Sequence, residues 1–126
     1  MLGGHVTKFG PYQDSFIAWA GDEHGTAIEV YPAGTEMFPD AGRGQANFRH
    51  NPNASGFVAT HATVSLNLTK DAVLSVAKQH GWRAIELSRG SFDVIELWIE
   101  NRVMLELMTP EMTKAYLLAT TRGSRM

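Results

Sequence analysis

The chain has 126 residues, 44% of them hydrophobic, with 11 Lys and Arg against 13 Asp and Glu and no cysteine. A single domain of this size buries a core without staples, and the near-neutral balance leaves no electrostatic footprint for nucleic acid or an anionic membrane. Without cysteine there is no disulfide framework, thiolate site or cysteine nucleophile, so any metal must be held by His, Asp or Glu.

The opening "MLGGHVTK" lacks an apolar signal core, and no run approaches the ~20 apolar residues of a membrane span, so the expectation is a cytoplasmic protein with no membrane partner. The first half contains only strand-like pieces, "HVTKF", "SFIAWA" and "TAIEVY", with turn residues at Gly10-Pro11 and from Gly21 to Gly25. In the last of these, Glu29 is a lone carboxylate in an otherwise apolar or neutral strand. Between Pro32 and Phe57 a stretch with four glycines and little periodicity reads as a long linker, of a kind that is often functional. Arg43, Arg49 and His50 fall within it, and His24 falls in an exposed turn. The triplets Asn53-Ala54-Ser55 and Asn67-Leu68-Thr69 match a glycosylation signal only by chance.

In the second half, "THATVSLNL" alternates, with Ala62, Val64, Leu66 and Leu68 on one face and His61, Thr63, Ser65 and Asn67 on the other. The segment "TKDAVLSVAKQHG" predicts a helix with Thr69 as N-cap, Asp71 in the first turn and Gly81 as the stop, covering the apolar face of the strand before it. Strands follow at "WRAIELS", "FDVIELWIE" and "VMLELMT", the last with a second lone carboxylate, Glu106. A short amphipathic helix is predicted from Pro110 to about Ala119. The expected class is α+β, a β-α-β-β-β order preceded by strands alone.

The halves align with each other. "SFIAW…GTAIEVYP" matches "FDVIELW…NRVMLELMTP", with Phe16 and Trp19 on Ile95 and Trp98, and Glu29 on Glu106. The Trp-to-Glu spacing is ten residues in one copy and eight in the other, a difference assigned to the hairpin turn. By this alignment the first half is the last three strands of the same unit, lacking its first strand and helix.

This repeat, the strand opening with His61, and the strands ending "IEVYP" and "LELMTP" resemble the vicinal oxygen chelate superfamily of glyoxalases, extradiol dioxygenases and bleomycin-resistance-type proteins, over roughly Phe9 to Pro110. The resemblance implies a curved mixed sheet around a cavity, within one domain: an incomplete first module at 1–32, a linker at 33–56, a complete βαβββ module at 57–110 and a C-terminal helix and tail at 111–126. It implies that Glu29, His61 and Glu106 are metal ligands, since they match the family's ligand positions. The family's remaining ligand lies on the strand that this sequence lacks. His5 is read instead as part of the second strand of the incomplete module, because too few residues separate it from Glu29.

Two Glu and one His suit zinc, manganese, nickel or iron, with Glu29 or Glu106 as the proton-shuttling base toward a small molecule with adjacent oxygens. Trp98 with Glu96, and Trp82 with Glu86, are placed on the cavity face by strand parity, as candidate substrate contacts. The function implied is a metal-dependent lyase, isomerase or oxygenase. The alternatives are a metal-free resistance-type binding dimer and a family member whose truncation removed its chemistry. A homodimer is expected, because Phe16, Ala18, Ile28 and Val30 form an outward face without a helix to cover it.

Overall fold

The computed structural model of the chain describes residues 5–8, 14–53 and 61–124, with side chains up to residue 120. Phe9, the Gly10-Pro11 turn, the Ala54-Ser55 pair and the end of the linker to Phe57 lie outside the described residues. The fold is α+β, with nine strands and two helices among the described residues, in sheets that do not close into a barrel.

Strands β1 (Val6–Lys8), β2 (Phe16–Trp19) and β3 (Ala27–Val30) form an antiparallel sheet in that order. Strands β4 (Thr35–Phe38) and β5 (Asn47–His50) form a separate hairpin. The remaining strands, β6 (His61–Ser65), β7 (Arg83–Ser88), β8 (Asp93–Ile99) and β9 (Val103–Met108), form a sheet in the order β6-β9-β8-β7. Strand β6 runs parallel to β9, a pairing that needs a crossover, and helix α1 (Lys70–His80) lies in that connection. Helix α2 (Pro110–Ser124) follows β9 and extends past the Ala119 expected as its end.

Helix α1 has the boundaries its sequence predicts. Thr69 accepts the Ala72 amide, and Gly81 ends the helix at φ 69°, a left-handed conformation that glycine adopts without a Cβ clash. Val73 and Ala77 join one buried cluster with Ile95, Leu97 and Leu107, which alternate with Glu96 and Glu106 and so point to the opposite face of the sheet. The expectation that α1 covers the apolar side of β6 is not met. The helix packs on β7, and Val64 and Leu68 are 38% and 48% exposed. Position decides this: β6 is the edge strand farthest from β7.

The two hairpins share one register. Trp19 faces Ala27 and Ile17 faces Glu29 across β2 and β3, while Trp98 faces Met104 and Glu96 faces Glu106 across β8 and β9. Both Glu residues therefore stand two positions beyond the partner of a Trp, and the two extra residues of the first copy lie in its turn. Helix α2 leaves the outer face of the first sheet open: Phe16, Ile28 and Val30 are 39%, 66% and 52% exposed.

The predicted linker contains ordered structure. Asp40 organises its turn, with Oδ2 accepting the amides of Gly42 and Gly44 and Oδ1 accepting Asn47 Nδ2. Such short strands closed by an Asx-type turn give little hydrophobic periodicity, which is why the sequence reads as loop. Gly34 adopts φ 88°, and a Cβ there would lie 2.6 Å from the Asn51 carbonyl oxygen. Gly34→Ala should therefore lower stability by more than ~1 kcal/mol, read as a reduced urea midpoint at constant slope.

Candidate functional site

Alternation along β6, β8 and β9 puts His61, Thr63, Glu96, Trp98 and Glu106 on one face of the four-stranded sheet. Glu96 and Glu106 are directly opposite each other, 1% and 8% exposed. Two like charges so placed repel, and in a core they are costly without counter-charges. Arg89, just beyond β7, supplies one: Nη2 lies 2.9 Å from Glu106 Oε2 and 3.3 Å from Glu96 Oε2, and Nε is 3.1 Å from Glu106 Oε2. Glu96 also accepts the Trp98 indole N–H at 3.2 Å and the Ala46 amide at 2.9 Å. The Ala46 contact comes from the loop joining β4 to β5, which also donates Gln45 Nε2 to the Ser88 carbonyl and accepts Arg83 Nη2 at the Gly42 carbonyl.

The first sheet enters through β3. His61 Nε2 is 3.3 Å from Glu29 Oε2 and 3.2 Å from Glu106 Oε1, so one imidazole spans two sheets. Glu29 Oε2 also accepts the Tyr31 hydroxyl at 2.7 Å, and Glu106 Oε1 accepts Thr63 Oγ1 at 3.0 Å. Tyr31 in turn stacks on Phe48 of β5 and meets the His61 ring edge-on. From α2, Tyr116 donates its hydroxyl to the Gly25 carbonyl, and Thr113 bonds Ser65.

Burial by itself would lower the His61 pKa, but its hydrogen bonds to Glu106 and Glu29 and their negative charge outweigh it and raise it to about 9. Burial would raise the Glu106 pKa, yet the His61 hydrogen bond and the Arg89 charge bring it down to about 2. The Tyr31 hydroxyl is raised by burial and by its bond to Glu29, so it stays a donor at neutral pH. Three carboxylates thus face one guanidinium and one imidazolium, and a negative charge is left over. Among the described residues, as their side chains are placed, no three His, Asp or Glu form a group that could hold a metal ion. At neutral pH the His61 Nε2 proton lies between the two carboxylates.

The structure brings Glu29, His61 and Glu106, the three positions that the family resemblance singles out, together from three strands. Trp98 is on that face too, but it is 1% exposed, with its N–H committed to Glu96. The placement of Trp82 and Glu86 on that face is corrected. Ile85 is the residue of β7 opposite Glu96, so Glu86, opposite Ile95, points to the helix side, where it pairs with Lys70. Trp82 precedes β7 and stacks on His80 at the end of α1, away from the ionic cluster. His24 is exposed, and Arg49 pairs with Glu36 on the β4–β5 hairpin. Arg89, Tyr31 and Thr63 complete the cluster, none of them proposed from sequence as site residues. Parity with Glu29 and His61 is enough to find Tyr31 and Thr63, whereas nothing local marks Arg89.

No protein-family model, no curated protein and no solved structure matches the chain.

Two outcomes follow from the charges. His61, with its pKa raised from 6.5 to about 9, contributes stability that is complete below pH ~6.5 and is lost as pH rises through about 9. Glu106, lowered from 4.5 to about 2, contributes stability that is present above pH ~4.5 and is lost as pH falls through about 2. Denaturant unfolding across pH 2–10 should show a plateau between roughly pH 4.5 and 6.5, and His61→Asn should flatten the alkaline limb. Arg89→Met leaves Glu96 and Glu106 buried without their shared counter-charge and should cost about 3–5 kcal/mol in the same assay.

Proposed function

We propose that Glu29, His61 and Glu106 form a divalent-metal centre in a vicinal-oxygen-chelate-like βαβββ module with an incomplete second copy, and that the protein is a metal-dependent lyase, isomerase or oxygenase. The observation that carries this reading is the convergence of the three residues on one point, His61 Nε2 lying 3.3 Å and 3.2 Å from the two carboxylates. Donor atoms bound to one ion at about 2.1 Å are ~3.0–3.4 Å apart between octahedral and tetrahedral angles, and the two His61–carboxylate separations fall in that range. As placed, the three do not form a metal-holding group, so ligation requires the Nε2 proton to leave and the side chains to re-aim around the ion. The leftover negative charge favours a cation at the same place, and the nitrogen-oxygen donor set accepts zinc, manganese, nickel or iron.

When bound, such an ion supplies Lewis acidity toward two adjacent oxygens of a small molecule. The protein's own groups divide the remaining work. Arg89 and Thr63 hold both Glu106 oxygens, which makes Glu106 the fixed ligand. Glu29 is the more accessible carboxylate, its side chain 25% exposed against 11% for Glu106. Glu29 is therefore the group that, freed from the ion or held beside it, takes a substrate proton and returns it, with the Tyr31 hydroxyl holding its Oε2.

A second reading is favoured by the number of hydrogen bonds that the carboxylates already accept, although Arg89 Nη1 is buried without a partner among the described residues: the cluster is an ionic clamp between sheets, and the protein binds small molecules without metal. Metal analysis separates the two. Protein purified without chelator should hold about one divalent ion per chain on the first reading. Glu106→Gln and His61→Gln should each lower metal affinity by about tenfold or more, while Glu29→Gln should abolish turnover more completely than metal binding. Metal-free protein that gains no ion on dialysis against zinc or manganese would leave the clamp.

A further inference from the structure

We infer that the outer face of the β1–β2–β3 sheet is the docking surface for an amphipathic helix with an acidic residue at its first position, where α1 has Lys70, carried by a partner polypeptide. The proposal is independent of the metal centre, because it concerns the side of β3 that points away from Glu29.

The shared register identifies the occupant. Val6, Phe16, Ile28 and Val30 lie on one face and are 57%, 39%, 66% and 52% exposed. Pairing β2 with β8 and β3 with β9 makes their counterparts Ala84, Ile95, Leu105 and Leu107. Ile95 and Leu107 are 0% and 6% exposed, in one cluster with Val73 and Ala77 of α1, which packs on β7, and Met112 of α2, which packs on β8 and β9. The same surface is thus seen twice in one molecule, once under helices, with α1 over β7, and once open.

Area points the same way. Four such side chains expose about 350 Å² at ~150–200 Å² each, well short of the ~800 Å² per partner that a standard protein interface buries, but on the scale of one face of a three-turn helix. A second copy packed face to face on this patch alone would be marginal.

Charge then sets the chemistry of the helix. On the covered sheet, Lys70 in the first turn of α1 lies 3.4 Å from Glu86. Glu86 pairs with Ile95 as Lys8 pairs with Phe16, so the equivalent position on the open sheet is exposed and carries the opposite charge. A helix docked there in the manner of α1 meets Lys8 with its first turn. An acidic residue at that point gains both the ion pair and the helix dipole, whereas a copy of α1 itself would oppose Lys70 to Lys8.

The test uses two labelled synthetic peptides of the chain's own Leu66–Trp82, one native and one with Lys70→Glu, titrated by fluorescence anisotropy against the full chain. The Lys70→Glu peptide should bind about three- to fivefold more tightly than the native one. Lys8→Glu in the protein, an exposed change that leaves the fold intact, should invert that preference. Ile28→Lys should abolish binding of both peptides with an unchanged circular dichroism spectrum. If neither peptide binds up to millimolar concentration, if binding is indifferent to the Lys8 and Lys70 charges, or if it survives Ile28→Lys, the proposal fails. It also fails if light scattering shows a dimer that Ile28→Lys dissociates, since a second copy would then own the face. Should Ile28→Lys not fold, the Lys8→Glu inversion decides alone.

Discussion

Glu96 and Glu106 face each other across paired strands in the interior, an arrangement that repulsion and desolvation would both oppose were Arg89 not between them. Much of the molecule is arranged around meeting that demand. The β4–β5 loop closes over the sheet with the Ala46 amide on Glu96, and Trp98 turns its indole N–H to the same carboxylate. His61 carries the cluster outward to Glu29 and so ties the three-stranded sheet to the four-stranded one. A buried carboxylate needs several donors, and here those donors come from separate elements, so satisfying the charge also orders the fold.

The two faces of the four-stranded sheet consequently differ in kind. Ile95, Leu97 and Leu107 join Val73 and Ala77 of α1 and Met112 of α2 in non-directional apolar packing. The opposite face is held by hydrogen bonds of defined direction, which fix where each oxygen points. Such preorganisation is what a reactive or ion-binding centre requires, and it makes the polar face the place to look for function in this protein.

The two hairpins show how one backbone register serves different environments. Ile17 occupies in the first sheet the place that Glu96 holds in the second, and it is buried as a plain apolar side chain. Only one of the two Glu residues at the repeated position therefore faces a second carboxylate. Glu106 is fixed by a guanidinium, whereas Glu29, with a phenol and an imidazole, remains the more accessible. The division of roles proposed for the two carboxylates originates in that difference.

Local signals in the sequence determined what depends on neighbours along the chain: the limits of α1, set by Thr69 and Gly81; the strands of both hairpins, set by alternation and turn residues; and the alignment that makes Glu29 and Glu106 counterparts. That His61 lies beside Glu106 was implied by the family resemblance and not by any local signal. The β4–β5 hairpin escaped, because an Asp side chain bonding its own loop leaves no apolar period. The side on which Trp82 and Glu86 lie followed from which β7 residue pairs with Glu96, a matter of register that parity within one strand does not fix. Tertiary structure alone brought Arg89 to the two carboxylates and the Ala46 amide to Glu96. Those contacts join residues far apart in sequence, and charge pairing across such separations is decided by the closing of sheets on one another rather than by any pattern along the chain.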